Sequence, residues 1–334
     1  MQKYQVSHYI ILALLISVFL SFSALVCLGC SSSVSSVPQP NNTAMENIND
    51  RASGVDPELL EPFWVLIMGG DTRANTLEGS AEEPGTYNLG YSDTMMLAYI
   101  VPAENRITLV TIPRDSEAAP IEGYEKINAV LRYGYPEDSV KAVQTMTGID
   151  EIKYYFATDF SRFVNAVDTI GGVDVVAPID VSFYGVVHTQ DSITIPQGEN
   201  HLDGESALVF SRARKIYAND LDACRQIQDR QVIQNIITAG LAAPEDVRDI
   251  YVKAVKDFVD TNMTQEELKF YVDLFAGQSM TFYSGSMPYE GGLGPDGGEW
   301  RAPYDEAVWK EVISTVEAGG DPCDVVPLPY VAAA

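Results

Sequence analysis

Histidine is nearly missing from this chain: 334 residues hold only His8, His188 and His201, and none has the spacing of a zinc site. Cysteine is scarce as well. Cys27 and Cys30 fall within or beside an N-terminal apolar run, which leaves Cys224 and Cys323 for either one disulfide or two buried thiols. No serine sits in a nucleophile-elbow motif, and no Walker or dinucleotide glycine pattern occurs. Basic residues are the deficit with the widest consequence. Twenty-one Lys and Arg against 47 Asp and Glu give a net charge of −26, so general binding to nucleic acid or to an anionic lipid surface is disfavoured. No internal repeat is present.

Against that acidic background the placement of arginine is informative. Six of the twelve, Arg73, Arg114, Arg212, Arg214, Arg225 and Arg230, fall in four short segments. Clustered arginines in an acidic protein imply a discrete bound anion, or else structural ion pairs with nearby carboxylates.

The chain opens with Lys3 and His8, followed by twenty-one uncharged residues from Tyr9 to Gly29. That length spans a bilayer as a helix. Gly29-Cys30 followed by serines also partly matches a lipoprotein cleavage site, so a lipidated Cys30 stands as the alternative to an uncleaved anchor. Residues 1–30 are therefore expected to be an anchor or signal segment. Residues 31–62, rich in Ser, Pro, Asn and Asp, read as a flexible spacer to an extracytoplasmic domain.

The domain begins at Phe63. Three apolar runs, 63–68, 94–101 and 106–112, read as a meander of strands. Its geometry would gather Asp71, Arg73, Asp93, Arg114 and Asp115 along one sheet edge. Carboxylates and guanidiniums mixed at such an edge indicate metal-assisted phosphate chemistry. Gly69-Gly70 reads as a turn that lets the backbone approach a ligand, and the loop 73–92 is long enough to be functional.

Helical spacing marks 138–147 and 159–170, strands are expected at 152–157 and 173–176, and 177–200 reads as a hairpin and loop. Helices follow after Asp203, from Asp222 through Gly240, and near 244–259, 264–275 and 304–317. The alternation predicts an α/β fold: a three-layer α/β/α sandwich around a mixed central sheet, over residues 63–318, with 319–334 as a C-terminal tail.

The motifs in order are Gly70-Asp-Thr-Arg73, Ser92-Asp-Thr94, Ile112-Pro-Arg-Asp115, Lys126-Ile-Asn128, Val167-Asp-Thr-Ile-Gly-Gly-Val-Asp174, Leu202-Asp-Gly204 with Ala207-Leu208, Arg212-Ala-Arg214 and Asp222-Ala-Cys-Arg225. Together they resemble the LytR-CpsA-Psr family of membrane-anchored cell-wall enzymes. The resemblance implies a phosphotransferase that moves a glycopolymer from an undecaprenyl-diphosphate carrier to peptidoglycan, with Mg²⁺ or Mn²⁺. By the same resemblance Arg73, Arg114, Arg212, Arg214 and Arg225 would bind the pyrophosphate, and Asp71 and Asp93 the metal.

Asp93, Arg114 and Asp115 would be catalytic. Either Asp93 or Asp115 would take the acceptor's proton, and Asp115 has the alternative role of orienting Arg114 or Arg73. Lys126, Asp222, Gln228, Arg230 and Gln231 are also carried over, with one departure. The family's Arg-Gln or Asn-Gln would fall at 228 and 229, but this chain has Gln228-Asp229, and Arg230-Gln231 comes two residues, about half a helical turn, later.

The resemblance also implies an apolar cavity for the lipid, with 138–147 and 159–170 as walls; without it, those stripes read as ordinary core. A lipid-pyrophosphate hydrolase and a non-catalytic polyprenyl-phosphate-binding regulator are the competing readings.

Overall fold

The computed structural model describes residues 57–72, 89–217, 222–293 and 297–329. The apolar segment 9–29 and most of the spacer lie outside them. Among the described residues no helix is long and apolar enough to cross a membrane.

The strands are β1 (Phe63–Gly70), β2 (Ser92–Val101), β3 (Arg106–Thr111), β4 (Ile152–Asp159), β5 (Val173–Ala177), β6 (Val181–Tyr184), β7 (Ser192–Ile195), β8 (Gly198–Leu202), β9 (Asp260–Thr261), β10 (Thr281–Ser286), β11 (Gly292–Leu293) and β12 (Trp300–Arg301). The helices are α1 (Ala129–Tyr133), α2 (Pro136–Thr147), α3 (Phe160–Thr169), α4 (Gly204–Arg212), α5 (Asp222–Ala242), α6 (Glu245–Phe258), α7 (Gln265–Phe275) and α8 (Glu306–Glu317).

The central sheet runs β10-β3-β2-β1-β4-β9. β1, β2 and β3 form the expected antiparallel meander, while β4 joins β1, and β10 joins β3, in parallel. Both faces of β1 are covered, which is why Phe63 to Met68 reads as an unbroken apolar run. Trp64, Leu66 and Met68 point into one core with Val143 and Met146 of α2 and Trp309, Val312 and Ile313 of α8. Phe63 and Val65 point into the other, with Leu241 of α5 and Tyr271, Leu274 and Phe275 of α7. The result is the predicted α/β sandwich.

A third core joins the two-stranded sheets β5-β8 and β6-β7 to α4 and Val232 of α5. Asp159 and Asp203 cap α3 and α4 by accepting backbone N–H groups of Arg162 and Ser206. The stripe of α3 faces α4, through Phe160, Val164 and Leu208, rather than the core that buries α2. The two helices expected to wall one cavity therefore lie in different cores.

Two further differences concern the ends. Residues 281–286, between the helices expected near 264–275 and 304–317, form β10 and join the sheet. Past α8 the chain also returns, burying Pro322 and Val326. Cys224 is buried and Cys323 half-buried, and no disulfide joins them.

His201 carries a pH dependence. Nδ1 lies 2.7 Å from Asp174, and Nε2 lies 2.9 Å from the Gly171 carbonyl. Both ring nitrogens face acceptors, so the imidazolium satisfies both. The Asp174 hydrogen bond, working against slight burial, raises the His201 pKa. Because the folded value exceeds the unfolded one, the stabilisation is complete below the unfolded pKa and fades as pH rises through the folded one. His201→Ala is expected to destabilise the fold at pH 5, by under about 1 kcal/mol since the pair is largely exposed, and so to lower Tm there, while being nearly silent at pH 9. Equal shifts at both pH values would contradict this account.

Candidate active site

The ends of β1 and β3 and the start of β2 meet at one sheet edge, and the charged motifs meet there with them. The Arg114 Nη1 donates to Asp93 Oδ1 at 2.7 Å, and its Nε lies 3.5 Å from Asp115 Oδ2. Lys126 Nζ donates to Asp115 at 2.8 Å and lies 2.9 Å from Glu299. Asp93, Arg114, Asp115 and Lys126 thus form one chain of alternating charge.

Burial works against the charge on Arg114, but Asp93 and then Asp222 outweigh it and hold the guanidinium above its ordinary pKa. Burial likewise opposes Lys126, and its hydrogen bonds to Asp115 and Glu299 prevail. Lys126 lies just ahead of α1. It forms an antiparallel bridge with Glu117, and the Asn128 carbonyl accepts the Ser92 N–H.

Asp71 continues β1. Its N–H reaches the Tyr91 carbonyl, and its Oδ1 accepts the Tyr91 N–H at 2.8 Å. Burial first, and the charge of Asp93 second, push its carboxyl up. Two carboxylates that repel each other form a place where a divalent cation would relieve the strain, and hard oxygens suit Mg²⁺. Among the described residues no cluster of three Asp, Glu, His or Cys side chains is placed to hold a metal. Two carboxylates are the usual protein share of a Mg²⁺ site completed by water and substrate phosphate, so Asp71 and Asp93 fit the ion.

The expected clearance at Gly69-Gly70 proves to be something else. A Cβ on Gly70 would lie 1.9 Å from the Leu89 carbonyl oxygen, whereas one on Gly69 would make only ordinary contact with Thr94. That carbonyl also accepts the Thr72 N–H. Gly70 therefore makes room for the chain's own backbone at Leu89, just ahead of β2. Gly70→Ala should displace residues 89–91, disturb the Tyr91–Asp71 pair and cost about 1–3 kcal/mol; thermal denaturation measures it, and a neutral result would refute the packing argument.

Beneath the edge lies the first turn of α5. Arg225 is 5% exposed. Its Nε and Nη2 donate to the two oxygens of Asp222, each at 2.9 Å, Nη2 also reaches the Asp93 carbonyl at 2.9 Å, and Nη1 pairs with Asp229. Thr94 donates its hydroxyl to Asp229 at 3.0 Å. All three guanidinium nitrogens are thus engaged with the protein. Phosphate contact here would require one of them to let go.

The two carboxylates around Arg225 behave oppositely. Burial would raise Asp222, but the bidentate Arg225, with help from Arg114, holds it well below the carboxylate range. Asp229 lies deeper, its Oδ1 has no hydrogen-bond partner, and burial together with Asp222 pushes it up to about 6 in spite of Arg225.

The displaced residues go elsewhere, as half a turn requires. Arg230 is buried under the end of β3 with Nη1 on the Thr111 hydroxyl at 2.6 Å, and burial lowers it to about 10. Gln231 accepts the Val176 N–H of β5, and Gln228 accepts the Tyr217 hydroxyl. Arg212, at the end of α4, lies over the rings of Phe160 and Phe183 at 5.0 and 5.3 Å. Arg214 has no ion pair among the described residues, and Arg73 falls outside them. Thr94, Asp229 and Glu299 were missed as site residues. For Asp229 the signal was present, an acid four residues after Arg225 on one helix.

Comparison with known proteins agrees with this architecture. A model of the LytR_cpsA_psr family matches residues 32–301. The polyisoprenyl-teichoic acid–peptidoglycan teichoic acid transferase TagU of Bacillus anthracis is 31% identical over 242 residues, 71% of this chain and 72% of that protein. Among solved structures, B. subtilis TagV superposes with a TM-score of 0.62 at 23% identity, covering 80% of this chain and 99% of TagV. A structure of TagT bound to LIIa-WTA gives 0.59 at 20% identity, covering 79% and 92%.

Proposed function

This chain belongs to the LytR-CpsA-Psr family, and we propose that it transfers a glycopolymer from an undecaprenyl-diphosphate carrier to peptidoglycan, with Mg²⁺ or Mn²⁺ at Asp71 and Asp93. The observation that carries this reading is the convergence of Asp71, Asp93, Arg114, Asp115 and Lys126 on one sheet edge above the buried Asp222–Arg225 pair. The transferase names of its relatives support it. Residues 9–29 would tether the domain to the cell membrane on the extracytoplasmic side.

In this reading Arg114 and Lys126 meet the diphosphate oxygens, joined by Arg73, Arg212 and Arg214, and Arg225 holds the Asp93 backbone from below. Planar guanidiniums suit paired phosphate oxygens. A sugar hydroxyl of the acceptor attacks the phosphorus that bears the polymer. The bond from that phosphorus to the bridging oxygen breaks, and the lipid monophosphate leaves with it. Asp93, with its side chain 30% exposed, is more open to the hydroxyl proton than Asp115 at 17%, which is held by two cations. Asp115 then serves to orient Arg114 and Lys126. A divalent cation held by Asp71 and Asp93 would supply neutralisation of charge on the leaving phosphate.

Incubating the full chain with a lipid-diphosphate-linked polymer, with and without peptidoglycan oligomers, tests the reading. Polymer should appear on glycan. Release of free phosphorylated polymer alone would favour the hydrolase. Chelation should abolish turnover and added Mg²⁺ restore it; full activity in excess chelator would remove the metal from the proposal.

A further inference from the structure

Three short segments are bonded backbone to backbone beside the site. Ser116 bridges Ala302, and Glu117 bridges Lys126. The Ala302 N–H donates to the Asp115 carbonyl at 3.0 Å, and the Glu117 N–H donates to the Ala302 carbonyl at 2.8 Å. Arg301 Nη2 adds an ion pair to Glu125 at 2.7 Å. Pairing with β11 holds β12 from its other side, so closely that a Cβ on Gly291 would lie 2.0 Å from the Arg301 carbonyl oxygen. Glu299, one residue before β12, therefore hangs from a fixed support, next to the segments that carry Asp115 and Lys126.

The Glu299 carboxylate lies 2.9 Å from Lys126 Nζ, yet its side chain is 77% exposed. Among the described residues no other carboxylate paired with Arg114, Lys126 or Arg225 is comparably open. Side-chain exposure is 30% for Asp93, 17% for Asp115 and Asp222, and 3% for Asp229. That ranking decides which pair gives way when an anion enters. Displacing a buried carboxylate strands its charge away from water. An exposed one is rehydrated as it leaves, so its pair is weak and readily exchanged. Asp115 keeps its own hold on Lys126 at 2.8 Å, so the ammonium stays in place when Glu299 lets go.

Glu299 also competes for that ammonium. The hydrogen bond from Lys126 holds the Glu299 carboxyl below its ordinary pKa, so it is ionised throughout the neutral range. Carboxylate and phosphate oxygens make the same charge-assisted hydrogen bond to an ammonium. A phosphate placed on Lys126 beside Glu299 would set two anions against each other, and phosphate binding therefore favours departure of the carboxylate.

We propose that Glu299 is the exchangeable counter-ion of Lys126, a positioning residue that holds the ammonium before the donor arrives and yields it to a phosphate group of the lipid diphosphate. After transfer the carboxylate reclaims Lys126 and helps to expel the lipid monophosphate. The identity of the anion rests on the transferase reading, but the exchange itself is independent of turnover.

The test is calorimetric titration of the full chain with farnesyl diphosphate and with farnesyl phosphate, both in the presence of Mg²⁺. Glu299→Gln should bind each about two- to fivefold more tightly than wild type, the scale of a partly exposed ion pair. Glu299→Asp keeps the charge and should stay nearer to wild type. In a Lys126→Met background the gain from Glu299→Gln should vanish. In turnover of a lipid-linked polymer, Glu299→Gln should lower KM for the donor by the same factor with no rise in kcat.

Unchanged or weaker binding by Glu299→Gln, in a chain that transfers polymer, would overturn the exchange and leave the transferase reading intact. A gain that persists with Lys126→Met would also overturn it, because a general field effect needs no lysine. A Lys126-dependent gain in a chain that turns over no lipid diphosphate would support the exchange and defeat the transferase reading instead. Failure of wild type and Glu299→Gln to bind either ligand would end both.

Discussion

Arg114→Ala is expected to cut transfer by about 10²–10³-fold, the loss that follows when one preorganised charge-stabilising donor is removed from an active site. Arg114 is the link between Asp93 and Asp115, and its charge is reinforced by Asp222. Without it Asp93 loses its cation, and the edge facing a diphosphate becomes predominantly negative. Lysine in its place keeps the charge but loses the planar fork, so Arg114→Lys should recover only a small part of the rate. Both carboxylates are partly open to solvent, so folding should suffer far less than catalysis. Steady-state kinetics beside a melting curve separate the two effects. Near-normal kcat in Arg114→Ala with the fold intact would dismantle the proposed site.

Arg225→Ala should behave in the opposite way, as a stability mutant first. This guanidinium is buried and neutralises both the half-buried Asp222 and the buried Asp229. Removing one partner of a buried ion pair typically costs about 3–5 kcal/mol, because the remaining charge stays buried and uncompensated. Here two carboxylates remain. At roughly 2–4 °C per kcal/mol for a domain of this size class, Tm should fall by about 6 °C or more. Asp229→Asn should cost less, since it removes a charge that burial already disfavours. A wild-type melting curve for Arg225→Ala would show that Arg225 is free to serve the ligand alone.

The contrast between these two arginines marks what the sequence can and cannot disclose. Strand patterning placed Asp71, Asp93, Arg114 and Asp115 together, because three short antiparallel strands leave few ways to arrange their ends; Lys126, which lies outside those strands, entered only through the family resemblance. Patterning could not separate an arginine that faces a ligand from one that underlies the site, because both stand in equally tight motifs. Helix α5 shows why. It is buried on several sides, with Arg225, Gln226, Gln228, Asp229 and Arg230 all enclosed, so no amphipathic stripe reports which way each side chain points.

The strand β10, Thr-Phe-Tyr-Ser-Gly-Ser, escaped notice for a different reason. Gly285 and its serine neighbours carry little strand propensity, and the Gly285 position is kept bare by Pro322, whose ring would lie 2.5 Å from a Cβ there. That constraint comes from a residue thirty-seven positions away. Tertiary contact decided it.

The buried arginine also governs the order in which the site can assemble. Arg225 and Asp93 are separated by 132 residues, and Thr94 and Asp229 by 135, whereas Arg114 lies only 21 residues from Asp93. Loop closure disfavours the long-range pairs until the intervening chain is in place. The meander can therefore form early, with its carboxylates still hydrated, and α5 docks afterwards, expelling water from Asp222 and Asp229 as it does so. Maturation of the centre is then a late event, and a chain halted before it would carry the acidic half of an active site without the cation that closes it.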